Sequence, residues 1–178
     1  MVGVSPAVDR SPTKPGAAIS LAAGILAVAV LGVAMPPSAG LTIPGVAVIG
    51  AGLHYGRERF VTGGGVLLFA GVLVAGVGDA GVGPTLIGGA LSVLAWDAAV
   101  NAVKLGEQVG YEAETRSAEL SHAAGTTAIG FGTAVAAYAL YVPFEGGRPI
   151  VSVVLLTVAA VLLASALRVS SPTSTNTQ

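Results

Sequence analysis

The chain has 178 residues, 53% of them hydrophobic and only 10% charged, with a formal net charge of −1. Soluble domains carry about 25% charged residues, so this composition, at mean hydropathy +0.83, belongs to the membrane class. Its eight Lys and Arg are scattered, which excludes a basic patch for nucleic acid, and the absence of cysteine excludes disulfides, thiolate nucleophiles and cysteine-based metal sites.

Residues 1–15 hold three prolines, two serines, Arg10 and Lys14, and predict a flexible cytoplasmic tail. Residues 16–35 are then uncharged, about 30 Å of helix and enough to cross a hydrocarbon core. A secretory signal peptide competes with this reading. Two features count against it: the run exceeds the usual 7–15 residues or so of a signal core, and Pro37 stands where a cut after Ala39 needs a small residue. The second span, 41–55, is the shortest and leans on the apolar 36–40 lead-in, with Gly56-Arg57-Glu58-Arg59 stopping it. The third, 60–78, ends at Asp79, and the fourth covers 80–100. Gly78, Gly81, Gly83 and Pro84 supply the turn of a tight helical hairpin between them.

A fifth span, 122–142, is followed by a loop over 143–148 and a sixth span, 149–167, with Pro149 in its tolerated first-turn place. Residues 170–178 have no apolar content, and 169–178 predict a second disordered cytoplasmic tail. The predicted fold class is therefore all-α: a polytopic transmembrane helix bundle of about six spans, with an amphipathic cytoplasmic helix between spans four and five. With the N terminus inside, Arg10, Lys14, Arg57, Arg59, Lys104, Arg116 and Arg168 face the cytoplasm and only Arg148 faces out. The positive-inside rule then predicts a multi-pass protein of the cell membrane with both termini cytoplasmic.

The amphipathic segment carries the only organised polar residues. At 100° per residue, Asp97, Asn101, Lys104, Gln108, Glu112, Thr115, Glu119 and His122 fall within about 80° of one helical face. Ala98, Ala99, Ala102, Val103, Leu105 and Val109 lie opposite, as in an amphipathic helix that continues span four out of the membrane. Gly106 and Gly110 are its expected bending points. The plain reading is a solvated face of a cytoplasmic connector; the sharper one is a docking or ligand-lining surface. Asp97 and Asn101 are expected near the inner membrane boundary, where a carboxylate needs a partner. Five acids and two bases from Asp97 to Glu119 make the segment net −3, against adhesion to anionic lipid.

Other motifs fail on spacing or number. Glu119-Leu120-Ser121-His122 has the Glu-x-x-His spacing of helical di-iron sites, which need two copies and two further carboxylates, and only one copy is present. The glycines at 63–65 form no phosphate cradle, and no hydrolase or cofactor motif is present, so no catalytic residue, metal or cofactor is expected. Small residues at four-residue spacing, Gly52 with Gly56 and Ala124, Ala128, Gly132 and Ala136, predict close helix packing within the chain or in a homo-oligomer. The spans hold no charge near their middles, unlike most transporters.

The runs Leu94-Ala95-Trp96-Asp97, Asn101-Ala102-Val103, Leu105-Gly106-Glu107-Gln108-Val109-Gly110 and Thr115 to Ala123 resemble a motif of haloarchaeal multi-pass membrane proteins of unknown function. Those proteins tend to be encoded near MoxR-type ATPases and their membrane-anchored partners. The resemblance implies an accessory role in assembling or maturing surface complexes, and supplies no activity. The functional expectation is a non-enzymatic scaffold or accessory subunit in the lipid bilayer, recruiting a cytoplasmic or membrane protein. The alternative is a small-solute or ion transporter or channel with Asp97 and Asn101 at an inner gate.

Overall fold

Lys14-Pro15 opens the first apolar run, and a proline in the first helical turn removes a backbone donor that the helix leaves unmet in any case. The structure, a computed structural model, describes residues 11–109 and 116–142. The chain divides into two compact units, Met1–Ala139 and Leu140–Gln178; the packing described here is that of the first. Its helices are α1 (Lys14–Ala34), α2 (Ala39–Tyr55), α3 (Glu58–Val77), α4 (Val82–Val109) and α5 (Arg116–Tyr141), with a single 3-10 turn over Pro36–Ser38 leading into α2. All five are long and apolar enough to cross a membrane, α2 when the 3-10 turn is counted with it.

Helices α1 to α4 run up and down in a ring, α1 packing on α2 and α4, and α3 on α2 and α4. Thr42, Gly45, Ile49 and Gly52 of α2 face Val61, Gly64, Leu68 and Gly71 of α3. Steps of three and four residues repeat every seven on both helices, the spacing of a left-handed helix pair. Backbones approach closely along this seam. A Cβ built on Gly64 would stand 2.6 Å from the Gly45 carbonyl oxygen and 2.7 Å from the Ile49 nitrogen.

The α1–α4 seam follows the same logic. Ser20 donates to the Ala95 carbonyl at 2.6 Å, and Leu31 fills the space beside Gly88. Thr42 and Ser92 turn their hydroxyls onto carbonyls one turn back, Ser38 at 3.2 Å and Gly88 at 2.8 Å. The buried residues are chiefly small, Ala23, Ala27, Ala95 and Ala99 among them, while Ile25, Leu26, Val33, Val66, Leu73 and Val77 are exposed. In water such a girdle would be an aggregation hazard. Against lipid it costs nothing, because tails are as apolar as the side chains.

The turns from α2 to α3 and from α3 to α4 each use a left-handed residue. Gly56 (φ 60) ends α2, with the Arg57 N–H donating to the Gly52 carbonyl at 2.8 Å. Asp79 (φ 65) ends α3, with the Ala80 N–H donating to Ala75 at 3.1 Å. Each closes a Schellman motif, and Asp tolerates the left-handed region better than most side chains. The expected glycine turn is thus built on Asp79 and Gly81, while Gly83 and Pro84 already belong to α4.

Three expectations need correcting. Lys14 and Pro15 are helical and Thr13 is buried, so the expected tail is ordered from residue 11 onward, where it lies against α4. Gly52 and Gly56 do not form one ridge, since Gly52 packs on Val61 and Gly56 is the turn. Ala124, Ala128, Gly132 and Ala136 face outward on α5 and are exposed, so of the two packings expected for them the one within the chain is not made. The expected sixth span, 149–167, and the tail at 169–178 lie outside the described residues.

The seam makes a direct prediction. Gly64→Ala should push α2 and α3 apart and destabilise the protein by about 1–3 kcal/mol, the usual penalty of overpacking. Gly63→Ala, one residue away with nothing within 4 Å, should be neutral or stabilising by up to about 1 kcal/mol through helix propensity. Thermal unfolding of both variants in the same detergent checks the contrast.

Candidate functional site

Most charged residues of the described helices gather at one end of the ring, where Lys104 of α4 meets Glu58 of α3 at 3.3 Å. Glu58 is the first residue of α3, so this pair marks the end of that helix. Asp97 is seven residues back along α4, about 10 Å or two turns toward the middle of the bundle. It lies within the stretch Val82–Glu107 of α4, which is long and apolar enough to cross a membrane. Asn101, one turn from it toward the charged end, is half-buried.

Two residues of α5 converge on the Asp97 carboxylate. His122 Nε2 lies 2.8 Å from Oδ2, and the Thr126 hydroxyl donates to the same oxygen at 2.8 Å. A four-residue step on one helix face lets both side chains reach one acceptor. This contact also changes the reading of the polar stripe. On one continuous helix Asp97 and His122 would be about 37 Å apart, whereas here they touch. The expected single amphipathic helix is two helices folded back on one another, α4 carrying Asp97, Asn101, Lys104 and Gln108, and α5 carrying Glu119 and His122. Glu112 and Thr115 lie outside the described residues. The expected apolar side of α4 does turn inward, with Ala98, Ala99, Ala102 and Val103 buried.

Glu119 is not a surface residue. It is 2% exposed, and the buried Thr13 hydroxyl donates to its Oε2 at 2.7 Å. Gly16 makes room for this carboxylate, since a Cβ there would sit 2.7 Å from Oε2. The Thr13 N–H donates to the Ala102 carbonyl at 3.2 Å, and the Ser11 carbonyl presses on Gly106. Gly106 therefore admits the N-terminal strap against an unbroken helix; it is not a bend. One short strap thus ties α1, α4 and α5 together at the charged end.

Toward the middle of the bundle a cavity of about 550 Å³ opens between α3, α4 and α5. Its lining is almost wholly apolar, with Val93 one turn from Asp97 on α4 and Ile129 on α5, and Thr126 reaches from it to the Asp97 carboxylate. Among the described residues no three His, Cys, Asp or Glu side chains gather as a metal site would require. Thr126, Thr13 and Glu58 escaped the sequence reading, the first two because a lone threonine has no signature until its helix is placed. Glu58 had a signal in Arg57-Glu58-Arg59, read there only as a stop.

Small residues inside, large apolar residues outside and paired polar groups toward one end define the class: a helical bundle of the membrane-spanning kind. Within that class, the family model described as "Family of unknown function (DUF7519)" matches residues 10–164, and the chain belongs to this family. Comparison with curated proteins and with solved structures gives no match.

The placement of α5 can be checked covalently, because the chain has no cysteine. A Cβ on Gly130 would stand 3.8 Å from that of Ala90, the mean separation in disulfides of about 3.8 Å. Ala90→Cys with Gly130→Cys should oxidise within one chain and lose both thiols to a maleimide count. Ala90→Cys with Gly132→Cys should keep them, as Gly132 has nothing within 4 Å.

Proposed function

We propose that this protein is a non-enzymatic membrane subunit, a scaffold or accessory protein with both termini in the cytoplasm, whose charged end receives a soluble or membrane-anchored partner. The observation that carries this reading is the length of α4. Its 28 residues make about 42 Å of helix against about 30 Å for the 20 of α3. Lys104 is level with the start of α3, so Leu105 to Val109 continue past it, with Glu107 exposed. The resemblance to haloarchaeal proteins associated with MoxR-type ATPases supports the same role. The tightly seamed ring of α1 to α4 suits a platform.

This reading is tested by affinity capture in mild detergent, comparing wild type with a Glu107→Ala, Gln108→Ala, Glu112→Ala variant. A specific partner lost from the variant is the expected result. Glu119 is left intact because its carboxylate is buried against Thr13, and its removal would disturb the fold. A second reading, passage of a small solute or ion, is favoured by Asp97 lying two turns inside the bundle beside a cavity. Solute flux in vesicles that disappears in Asp97→Asn, with no partner captured, would replace the first reading by the second.

Orientation has its own measurement. Cysteine at Gly40 or Gly81 should label with a membrane-impermeant maleimide from outside, and at Arg57 only after permeabilisation. Gly40 is chosen over neighbouring Ser38, which is fully buried and would fail to label for that reason alone. Labelling of Arg57→Cys from outside would overturn the cytoplasmic assignment of the termini.

A further inference from the structure

Between Val82 and Lys104 on α4 the only ionisable residue before Lys104 is Asp97, and from His122 to Ala137 on α5 it is His122. The stretches 15–34 of α1, 39–53 of α2 and 60–77 of α3 contain none. Asp97 and His122, the charged or chargeable side chains of α4 and α5 that lie furthest from the charged end among the described residues, are in contact with each other, at 2.8 Å. A charged group inside a hydrocarbon layer is costly unless neutralised, and such groups mark sites of function. From this we infer that Asp97 and His122, oriented by Thr126, form an intramembrane proton-binding site whose occupancy decides whether α5 stays docked on α4.

Charge arithmetic gives the direction. A carboxylate and a neutral imidazole sum to −1; one proton brings the pair to zero, the state an apolar layer accepts at least cost. The proton is shared between His122 Nε2 and Asp97 Oδ2, the oxygen that also accepts from Thr126. When it leaves to water, an unneutralised carboxylate remains two turns inside the bundle. Among the described residues no second cation replaces it: on α4 Lys104 is engaged by Glu58, and on α5 the charged group nearest in sequence is Glu119, an acid that accepts from Thr13. Lys14 begins α1 and Glu58 begins α3, both toward the charged end.

The docking of α5 depends on this pair more than on apolar packing. Glu119 is the single buried residue among those described on α5, and where α1 and α4 share a close small-residue seam, α4 and α5 border a cavity. Thr126 belongs both to the lining of that cavity and to the proton site. Loss of the proton should therefore widen the space between the two helices.

The test uses the full chain in lipid nanodiscs, with spin labels on Leu73→Cys of α3 and Val135→Cys of α5, both exposed positions. His54→Gln in the background leaves one imidazole. Pulsed electron paramagnetic resonance is recorded at pH about 5 and about 9, across the range in which histidine exchanges its proton. We expect one distance population at the lower pH and a second, shifted population that dominates at the higher pH. Asp97→Asn removes the charge while keeping the shape, and should give the low-pH population at both values. Thr126→Val, which retains both titrating groups, should still respond to pH. A wild-type distance distribution that does not change with pH overturns the inference, as does an unchanged pH response in Asp97→Asn.

Discussion

Close approach of helix backbones is the constraint on which the rest of this structure depends. Lipid offers no hydrophobic reward for bringing apolar helices together, so cohesion must come from dispersion contacts at short range and from a few hydrogen bonds. Glycine, alanine and serine supply that range. Gly45 and Gly64 bring α2 and α3 to a separation that any side chain on Gly64 would prevent, and Ser20 can reach the Ala95 carbonyl because the α1–α4 seam is equally tight. The large residues are displaced to the outer faces, where their size does no harm.

The same constraint explains why α5 differs from the other helices. Its ridge of Ala124, Ala128, Gly132 and Ala136 turns away from α4, so close packing does not hold it there. Polar contacts do: Glu119 through Thr13, and His122 and Thr126 through Asp97. Hydrogen bonds to charged groups are stronger than neutral ones, but they depend on charge state in a way that methyl contacts do not. A helix fixed by them is more readily released than one fixed by a seam of glycines.

The strap formed by residues 11–13 adds a second consequence. It crosses α4 at Gly106 and reaches Glu119 of α5 in one step, so the position of α5 is coupled to the start of α1. A scaffold whose charged end receives a partner would present to that partner the strap, the end of α4 and the beginning of α5 together.

Much was legible from sequence because hydropathy and helix length report on one segment at a time. The runs 16–35, 60–78 and 80–100 announce helices that the structure places at Lys14–Ala34, Glu58–Val77 and Val82–Val109, and the polar face of residues 97–122 was visible as a face. The sequence alone could not say that this face belongs to two helices, because angular position on a helical projection carries no information about where the chain reverses. Asp97 looked like a boundary residue because hydropathy falls after Val100; the pairing of Lys104 with Glu58 shows that the charged ends of α3 and α4 meet two turns beyond it. Glu119 looked solvated because its neighbours in sequence are polar, whereas burial is set by neighbours in space, here Thr13 and Gly16. Composition and period determined the helices and the environment they suit; only tertiary packing decided which polar residues meet, since a contact across 25 residues depends on how two helices are placed.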